Sequence, residues 1–325
     1  MNLERVTLGG SNVKIPRIGF GCAQLGEHGW GQIDRDNISS AIGAALELGN
    51  CLFDTADCYG LGLSENLLGQ FVADRREDAF IATKFGVRIG TDKKTFYDNS
   101  PEWIDRALDQ SLRRLNTDYI DLYQVHYPDG KYPISETFNY LEKKRKQGKI
   151  RYYGVTNIDI GSAGLERIPE GLAGFSNEYS LANRTLEESI LVGVSLGLTF
   201  ISHGSLGQGI LTGKYTEETE FAVDDRRRRS DYGNFHGPGL DQNMALVAKM
   251  KSMLSKYPDA TLAQMGCRWI LETIAGSVAL IGIKTIEQWE DALLSLRWRF
   301  EPDDLAELAA ISKNEIFAEP TSRQI

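Results

Sequence analysis

Four side chains of different chemistry stand at the ends of apolar segments of this sequence. The stretch CLFDTADCYG (51–60) ends an apolar run on Asp54 and carries Tyr59 five residues later. Two later apolar runs end on Lys84 and on His126. An acid, a phenol, an amine and an imidazole are groups that transfer protons in enzymes. The alternative for each is a structural role, as an ion pair, a rim aromatic or a buried histidine.

The combination favours protonation of an oxygen atom while another group attacks the carbon. A free tyrosine has a pKa of about 10, which is too high for an efficient proton donor at neutral pH. A neighbouring ammonium lowers such a pKa by roughly 1–3 units. We therefore predict that Lys84, kept charged by Asp54, lowers the pKa of Tyr59. His126 could donate to a carbonyl oxygen, and since no protein nucleophile is evident, a nicotinamide hydride is the predicted attacking group.

The elements that must position these residues are short apolar runs alternating with amphipathic segments. The predicted strands are 17–21, 51–54, 79–84, 119–126, 150–157, 172–177, 198–204 and 277–284. The predicted helices are 36–49, 64–76, 101–115, 134–148, 186–197 and 285–296. A helix after each strand requires parallel pairing. Eight such units predict the α/β class and a (β/α)₈ TIM barrel rather than a doubly wound open sheet.

Two further segments complete the predicted architecture. VTLGGSNVKIP (6–16) predicts an N-terminal β-hairpin that covers the bottom of the barrel. The polar segment 214–240 follows the seventh strand and predicts a long loop at the C-terminal face, where barrels keep their active sites. No linker-like composition divides the chain, so residues 1–325 are predicted to form a single barrel domain.

Composition narrows the class of protein. The 325 residues are 42% hydrophobic and 25% charged, with a net charge of -9, which argues against nucleic-acid and anionic-membrane partners. The four cysteines form no CxxC pair and have no histidine at ligand spacing, so no metal site is predicted. The polar N-terminus does not resemble a signal peptide, and the apolar stretch 191–202 is too short to span a bilayer. A cytoplasmic location is the resulting expectation.

Four motifs resemble the aldo-keto reductase superfamily in order and spacing. They are FDTADCYGLGLSENLLG (53–69), IATKFG (81–86), LDQSLRRLNTDYIDLYQVHYPD (108–129) and IRYYGVTN (150–157). The resemblance extends from the N-terminal hairpin to about residue 300. It implies a (β/α)₈ barrel that reduces aldehydes and ketones with NADPH, or with NADH. It also implies that Asp54, Tyr59, Lys84 and His126 form the complete catalytic tetrad, with Tyr59 as the general acid.

The resemblance further implies where the cofactor binds. Thr156 and Asn157 match the pair that holds the nicotinamide carboxamide, and His203 replaces the aromatic that stacks on that ring. Lys284 matches a position next to the 2′-phosphate of NADP, although Ala292 departs from the family's pattern at the adenine end. The complete implied set of cofactor residues is Cys22, Thr156, Asn157, Asn177, His203, Gly204, Leu206, Gly209, Leu211, Gly213, Lys214, Gly282, Lys284, Gln288 and Asp291.

Aromatic side chains are the predicted walls of the substrate site. The predicted walls are Trp30, Phe85 and Tyr127, with Phe96, Tyr97 and Tyr232 as further candidates. Aromatic walls suit a sugar ring, an aromatic aldehyde or a polyketide-like ketone equally.

Two other stretches resemble phosphate-binding sequences. GLGLSE (60–65) lacks the third glycine of a dinucleotide-binding fingerprint, so we do not assign it that role. Arg226 to Arg229 are predicted to lie on a solvated loop, a phosphate contact being the alternative.

Three functions therefore stay open at this point. The first is an NADPH-dependent reductase whose partner is a small-molecule carbonyl compound. The second is an NADP(H)-binding regulatory or redox-sensing subunit with little turnover. The third is a barrel lyase that uses Lys84 as a Schiff base. The physiological substrate, the reaction direction and the oligomeric state stay open as well.

Overall fold

A closed barrel of eight parallel strands forms the centre of the computed structural model, which describes residues 3–92, 94–165 and 167–312. The barrel strands are β3 (Ile18–Gly21), β4 (Cys51–Asp54), β5 (Ala79–Phe85), β8 (Ile120–Val125), β9 (Ile150–Thr156), β10 (Leu172–Glu178), β11 (Thr199–His203) and β12 (Val278–Gly282). Each strand pairs in parallel with its neighbours, and β12 pairs with β3 to close the cylinder. The predicted TIM barrel is confirmed, with strand bounds within about two residues of those read from the sequence.

Nine helices surround the barrel within the described ranges. They are α1 (Arg35–Leu46), α2 (Leu63–Phe71), α3 (Pro101–Leu115), α4 (Ile134–Lys146), α5 (Glu187–Ser195), α6 (Gly237–Met253), α7 (Leu262–Thr273), α8 (Ile286–Leu294) and α9 (Pro302–Ile311). The sequence did not predict α6, α7 or α9. Nine of the 12 residues of α7 are buried, and they include the polar Gln264 and Arg268.

Two helix starts differ from their predictions. Helix α1 is capped by Asp34, whose carboxylate accepts the backbone N–H groups of Asp36 and Asn37. Helix α2 begins at Leu63, one residue before the predicted start, and Ser64 lies in its first turn. The Ser64 hydroxyl donates to the carbonyl oxygen of Cys22, which ties the turn after β4 to the turn after β3.

The bottom of the barrel is covered by an N-terminal hairpin, as predicted. Strands β1 (Arg5–Thr7) and β2 (Lys14–Pro16) pair antiparallel. Leu8 and Ile15 from this hairpin pack into the barrel interior against a small cluster that includes Leu52, Phe80 and Leu280. A larger apolar cluster fills the space between the strands and the helices. The open end of the barrel is therefore the C-terminal face.

That face carries two features that differ from the predictions. A short antiparallel hairpin, β6 (Val87–Ile89) with β7 (Thr95–Tyr97), follows β5 where no strands were expected. The loop predicted for 214–240 contains 3₁₀ turns at Arg226–Arg228 and Gly233–Phe235, and helix α6 begins inside its last residues. Across the described ranges, no helix is both long and apolar enough to cross a membrane.

Candidate active site

The four residues with predicted proton chemistry meet at the C-terminal face. Asp54 is the last residue of β4, Lys84 lies near the end of β5, and His126 directly follows β8. Tyr59 begins the turn that leads from β4 to α2. The Lys84 ammonium donates to Asp54 Oδ1 at 2.6 Å and to the Thr55 carbonyl oxygen at 2.8 Å. Parallel pairing places these neighbouring strand ends side by side, as the sequence predicted.

Lys84 also approaches the phenol and the imidazole of the group. Its Nζ lies 5.2 Å from the centroid of the Tyr59 ring. The Tyr59 and His126 rings meet edge to face, with their centroids 6.0 Å apart. Asp54, Lys84 and His126 are 5%, 3% and 6% exposed, so the charges of Asp54 and Lys84 interact through little water.

Burial controls the protonation of this group. Desolvation raises the pKa of Tyr59 to about 12, although the Lys84 charge opposes that shift. The charge of Lys84 lowers the pKa of Tyr59, as predicted, but the phenol loses more hydration than one ammonium offsets, so its pKa lies above the ordinary value. Burial would lower the pKa of Lys84, but Asp54 and Tyr59 raise it above its ordinary value. Burial, with the charge of Lys84, lowers the pKa of His126 well below its ordinary value.

Two glycines allow the turn that carries Tyr59 to approach the turn after β3. An added Cβ on Gly60, whose φ is +59°, would lie 2.3 Å from the Gly26 carbonyl oxygen. A Cβ on Gly26 would lie 2.7 Å from the Gly60 amide nitrogen. This backbone contact fixes where Tyr59 stands relative to β3.

A cavity of about 440 Å³ opens from these residues across the barrel mouth. Tyr59, Lys84 and His126 line one part of it, and Lys284 and Gln288 line another. The predicted cofactor residues that line it are Cys22, Thr156, Asn157, His203, Gly204, Leu206, Gly209, Lys214, Gly282, Lys284, Gln288 and Asp291. Among the predicted walls, Trp30, Tyr127 and Tyr232 line it too.

Several predicted site residues lie outside the cavity lining. Asn177 is buried and uses its amide to bind the backbone of Ile158, which holds the turn after β9. Leu211 is a core residue, and Gly213 ends a 3₁₀ turn against Leu262. Phe85 is stacked on Tyr123 below the mouth, so it forms no wall.

The other two candidate walls belong to the hairpin after β5. Phe96 lies at its surface, where Arg88 covers its ring. Tyr97 stacks on Tyr127, which in turn stacks on His126. Neither Phe96 nor Tyr97 lines the cavity. Tyr97 therefore contacts the site through a second ring rather than directly.

The family of this chain follows from its similarity to known proteins. The model of the aldo/keto reductase family matches residues 17–313. "Aldo-keto reductase YhdN" of Bacillus subtilis is 31% identical over 334 aligned residues, covering 99% of this chain and all of that protein. The chain belongs to the aldo-keto reductase family. It is therefore a member of a family of NAD(P)H-dependent oxidoreductases.

Solved aldo-keto reductases share this architecture over their whole length. The glycerol dehydrogenase AKR11B4 from Gluconobacter oxydans is 30% identical, with a TM-score of 0.84 and coverage of 100% of this chain and 99% of that one. An aldo/keto reductase from Klebsiella pneumoniae, solved with NADP and acetate, is 25% identical, with a TM-score of 0.69 and coverage of 99% and 98%. The family acts on small carbonyl compounds.

Sequence reasoning missed several residues that line the cavity of this aldo-keto reductase. They are Gln24, His28, Ser205, Gln208, Thr212, Tyr215, Arg226, Arg227, Ala263 and Cys267. For Arg226 and Arg227, their place in the cavity lining favours the phosphate contact that the sequence left as the alternative to a solvated loop. The Arg226 amide donates to the Gly29 carbonyl oxygen, which brings the loop after β11 against the loop after β3. The clustering of arginines was the available signal, but nothing in the sequence showed where the loop would dock.

One cysteine, Cys58, lies close to a histidine that is distant from it in the sequence. Cys58 Sγ is 3.6 Å from His126 Nδ1, although 68 residues separate them in the chain. With a carboxylate oxygen of Asp57, these atoms lie within 4.8 Å of one another. The absence of a metal site was predicted from the linear spacing of cysteines and histidines. Because Cys58 and His126 are close in three dimensions, that argument does not hold.

Proposed function

We propose that this aldo-keto reductase reduces the carbonyl group of a small aldehyde or ketone, with NADPH as hydride donor and Tyr59 as proton donor. The observation that carries the proposal is the buried Lys84–Asp54 ion pair beside the Tyr59 phenol, at the edge of a cavity that reaches Lys284. When bound, the nicotinamide supplies the hydride.

The protonation states of the site residues suit this role. Tyr59 keeps its proton at neutral pH because its pKa is raised to about 12, and such a weak acid donates efficiently only if the phenolate is stabilised. The charge of Lys84 stabilises the phenolate that forms after the proton leaves. His126 is neutral, because burial lowers its pKa, and one of its ring nitrogens can donate to the carbonyl oxygen.

The cavity fits a dinucleotide phosphate in charge and shape. Lys214, Arg226, Arg227 and Lys284 line one part of it. Burial, together with the charges of Arg227 and Lys214, lowers the pKa of Lys284. Arg226 Nε is buried with no acceptor among the residues that the structure describes, as expected of a donor that awaits an anion.

Glycines in the lining of the same cavity let a ligand approach the backbone closely. Gly204, Gly209 and Gly282 line it, and a Cβ on Gly282 would lie 2.0 Å from Gln24 Nε2. Within the described part of the chain, Gln24 Oε1 is buried without a hydrogen-bond partner. The 2′-phosphate of NADPH would find its countercharge among Arg226, Arg227 and Lys284.

The contacts of Lys84 disfavour the lyase alternative. A Schiff-base lysine must be a free amine, yet Lys84 forms an ion pair with Asp54, and its pKa is raised. The meeting of all four residues implied by the resemblance argues against the regulatory-subunit alternative, which rests on the departures at His203 and Ala292.

We infer a substrate that is small and carries hydroxyl groups near its carbonyl. Trp30, Tyr127 and Tyr232 provide aromatic surface, while His28 and Gln208 add polar groups to the cavity lining. The Gluconobacter relative is described as a glycerol dehydrogenase, which places short polyhydroxy carbonyl compounds among the first to test.

The decisive experiment follows NADPH oxidation, and separately NADH oxidation, against a panel of aldehydes, ketones and keto-sugars. The Tyr59→Phe variant should lose roughly 10²- to 10⁴-fold in kcat, since it lacks the proton donor, and should bind NADPH as the wild type does. Tyr140→Phe is the matched control, because that tyrosine lies on α4 and donates to Asp105. Full turnover by Tyr59→Phe would contradict the proposal.

Two further proposals concern the whole protein. We infer that residues 1–325 form one domain, because the hairpin and the surrounding helices pack on a single barrel; residues 1–2 and 313–325 lie outside the described ranges. We also infer a cytoplasmic location, since all four cysteines are free thiols, which suits a reducing compartment.

A further inference from the structure

The turn after β4 brings a thiol to one edge of the His126 ring. Cys58 directly precedes Tyr59, and its Sγ lies 3.6 Å from His126 Nδ1. Sulfur hydrogen bonds are long, so this separation is a contact between a donor and an acceptor. Because His126 lines the cavity and Cys58 does not, Nδ1 faces the protein and Nε2 is the nitrogen turned toward the cavity.

The orientation of the imidazole is fixed from several directions. Tyr127 stacks on one face, with centroids 5.1 Å apart, and Tyr59 meets the ring edge to face. The backbone carbonyl of His126 accepts hydrogen bonds from Thr156 Oγ1 and from Asn157 Nδ2. These contacts hold the plane of the ring, and a 180° rotation within that plane would lose the contact between Nδ1 and Cys58 Sγ.

The contact between Cys58 and His126 joins two neutral groups. Burial raises the pKa of the Cys58 thiol above its ordinary value and lowers that of His126, so a thiolate–imidazolium pair is disfavoured. A neutral imidazole carries one proton, on one of its two nitrogens. If the thiol donates to Nδ1, the ring proton lies on Nε2. If Nδ1 carries the proton instead, Nε2 can only accept and cannot donate to a carbonyl oxygen.

We propose that Cys58 is a positioning residue whose S–H group donates to Nδ1 of His126 and holds the ring proton on Nε2, facing the substrate. The role of that proton rests on the proposed carbonyl reduction. The tautomer itself is a property of the resting protein and can be measured without turnover.

Nitrogen-15 NMR of histidine-labelled protein tests the proposal directly. The chain has 4 histidines, so a His126→Asn variant assigns the His126 signals by difference. Spectra at pH 8, with EDTA present because Asp57, Cys58 and His126 could share a metal ion, should show Nε2 protonated and Nδ1 unprotonated. A proton on Nδ1 in the wild type would overturn the proposal.

Substitutions separate a hydrogen bond from simple packing. Cys58→Ala should shift the tautomer population toward Nδ1–H and lower kcat/KM by roughly 3- to 10-fold, the worth of one hydrogen bond. Cys58→Ser keeps a donor and should restore the wild-type tautomer. Cys51→Ala, a buried cysteine of β4 whose thiol contacts the Leu52 carbonyl, should leave tautomer and kcat unchanged. An unchanged tautomer in Cys58→Ala would refute the role of the thiol.

The outcomes distinguish this inference from the proposed function. If Tyr59→Phe retains full turnover while the NMR result is as expected, the reductase mechanism fails and the tautomer assignment stands. If Tyr59→Phe is inactive and the tautomer does not respond to Cys58→Ala, the reductase proposal stands and this inference fails.

Discussion

Lys84 Nζ lies 2.6 Å from Asp54 Oδ1, and both side chains are almost fully buried at the ends of adjacent strands. Asp54→Asn would leave the ammonium buried without its countercharge. Removing one partner of a buried ion pair typically costs about 3–5 kcal/mol. We expect a loss of that order in the free energy of unfolding, measured by urea denaturation.

The control for this substitution is Asp109→Asn. Asp109 pairs with Lys149 at 2.7 Å, but the two side chains are 48% and 41% exposed. Such a pair is worth at most about 1 kcal/mol, because water screens it. Equal losses in the free energy of unfolding in Asp54→Asn and Asp109→Asn would show that burial does not strengthen the Lys84–Asp54 ion pair.

The ionisation of Tyr59 can be read from tyrosinate absorbance. Subtracting the titration of Tyr59→Phe from that of the wild type isolates one phenol, and we expect a midpoint near 12. Below about pH 10 the phenol is neutral in both the folded and the unfolded chain. Above it the unfolded chain ionises first, so stability falls as pH rises from about 10 through the folded value.

The decrease in stability between pH 8 and pH 11 should be smaller in Tyr59→Phe than in the wild type. Thermal unfolding at these two pH values would measure the difference. Tyr140→Phe provides a matched loss of one phenol elsewhere. A midpoint at or below 10 would mean that Lys84 outweighs the cost of burial, as the sequence alone predicted.

Arg226 provides a test of cofactor preference. We expect Arg226→Ala to raise the KM for NADPH by roughly 10- to 100-fold, the worth of one charge-assisted hydrogen bond, and to change the KM for NADH little. Steady-state kinetics with both cofactors would measure this ratio. Arg228→Ala is the control, since Arg228 is exposed and does not line the cavity. Equal changes for both cofactors would assign Arg226 to a group that NADPH and NADH share.

Leu61 has an unfavourable backbone conformation and an exposed side chain. Its φ is +53° and its side chain is 77% exposed. A left-handed conformation costs a leucine roughly 1–2 kcal/mol, and asparagine tolerates it better. We expect Leu61→Asn to raise the free energy of unfolding by about 1 kcal/mol. Leu196→Asn, at an exposed leucine with φ of -78°, should give no such gain.

The sequence by itself predicted the barrel, because strands and helices leave local patterns that repeat along the chain. The helices predicted over 101–115 and 134–148 match α3 and α4, and the apolar runs marked all eight barrel strands to within about two residues. Since parallel strands end at one face, the meeting of Asp54, Lys84 and His126 followed from the strand pattern as well.

The tertiary structure decided what depends on packing between distant segments. The sign of the pKa shift of Tyr59 depends on desolvation, which is set by how tightly other elements cover the phenol. The docking of Arg226 against Gly29 and the contact of Cys58 with His126 join residues far apart in the chain. Local sequence carries no signal for such contacts, because each depends on where separate loops close over the barrel.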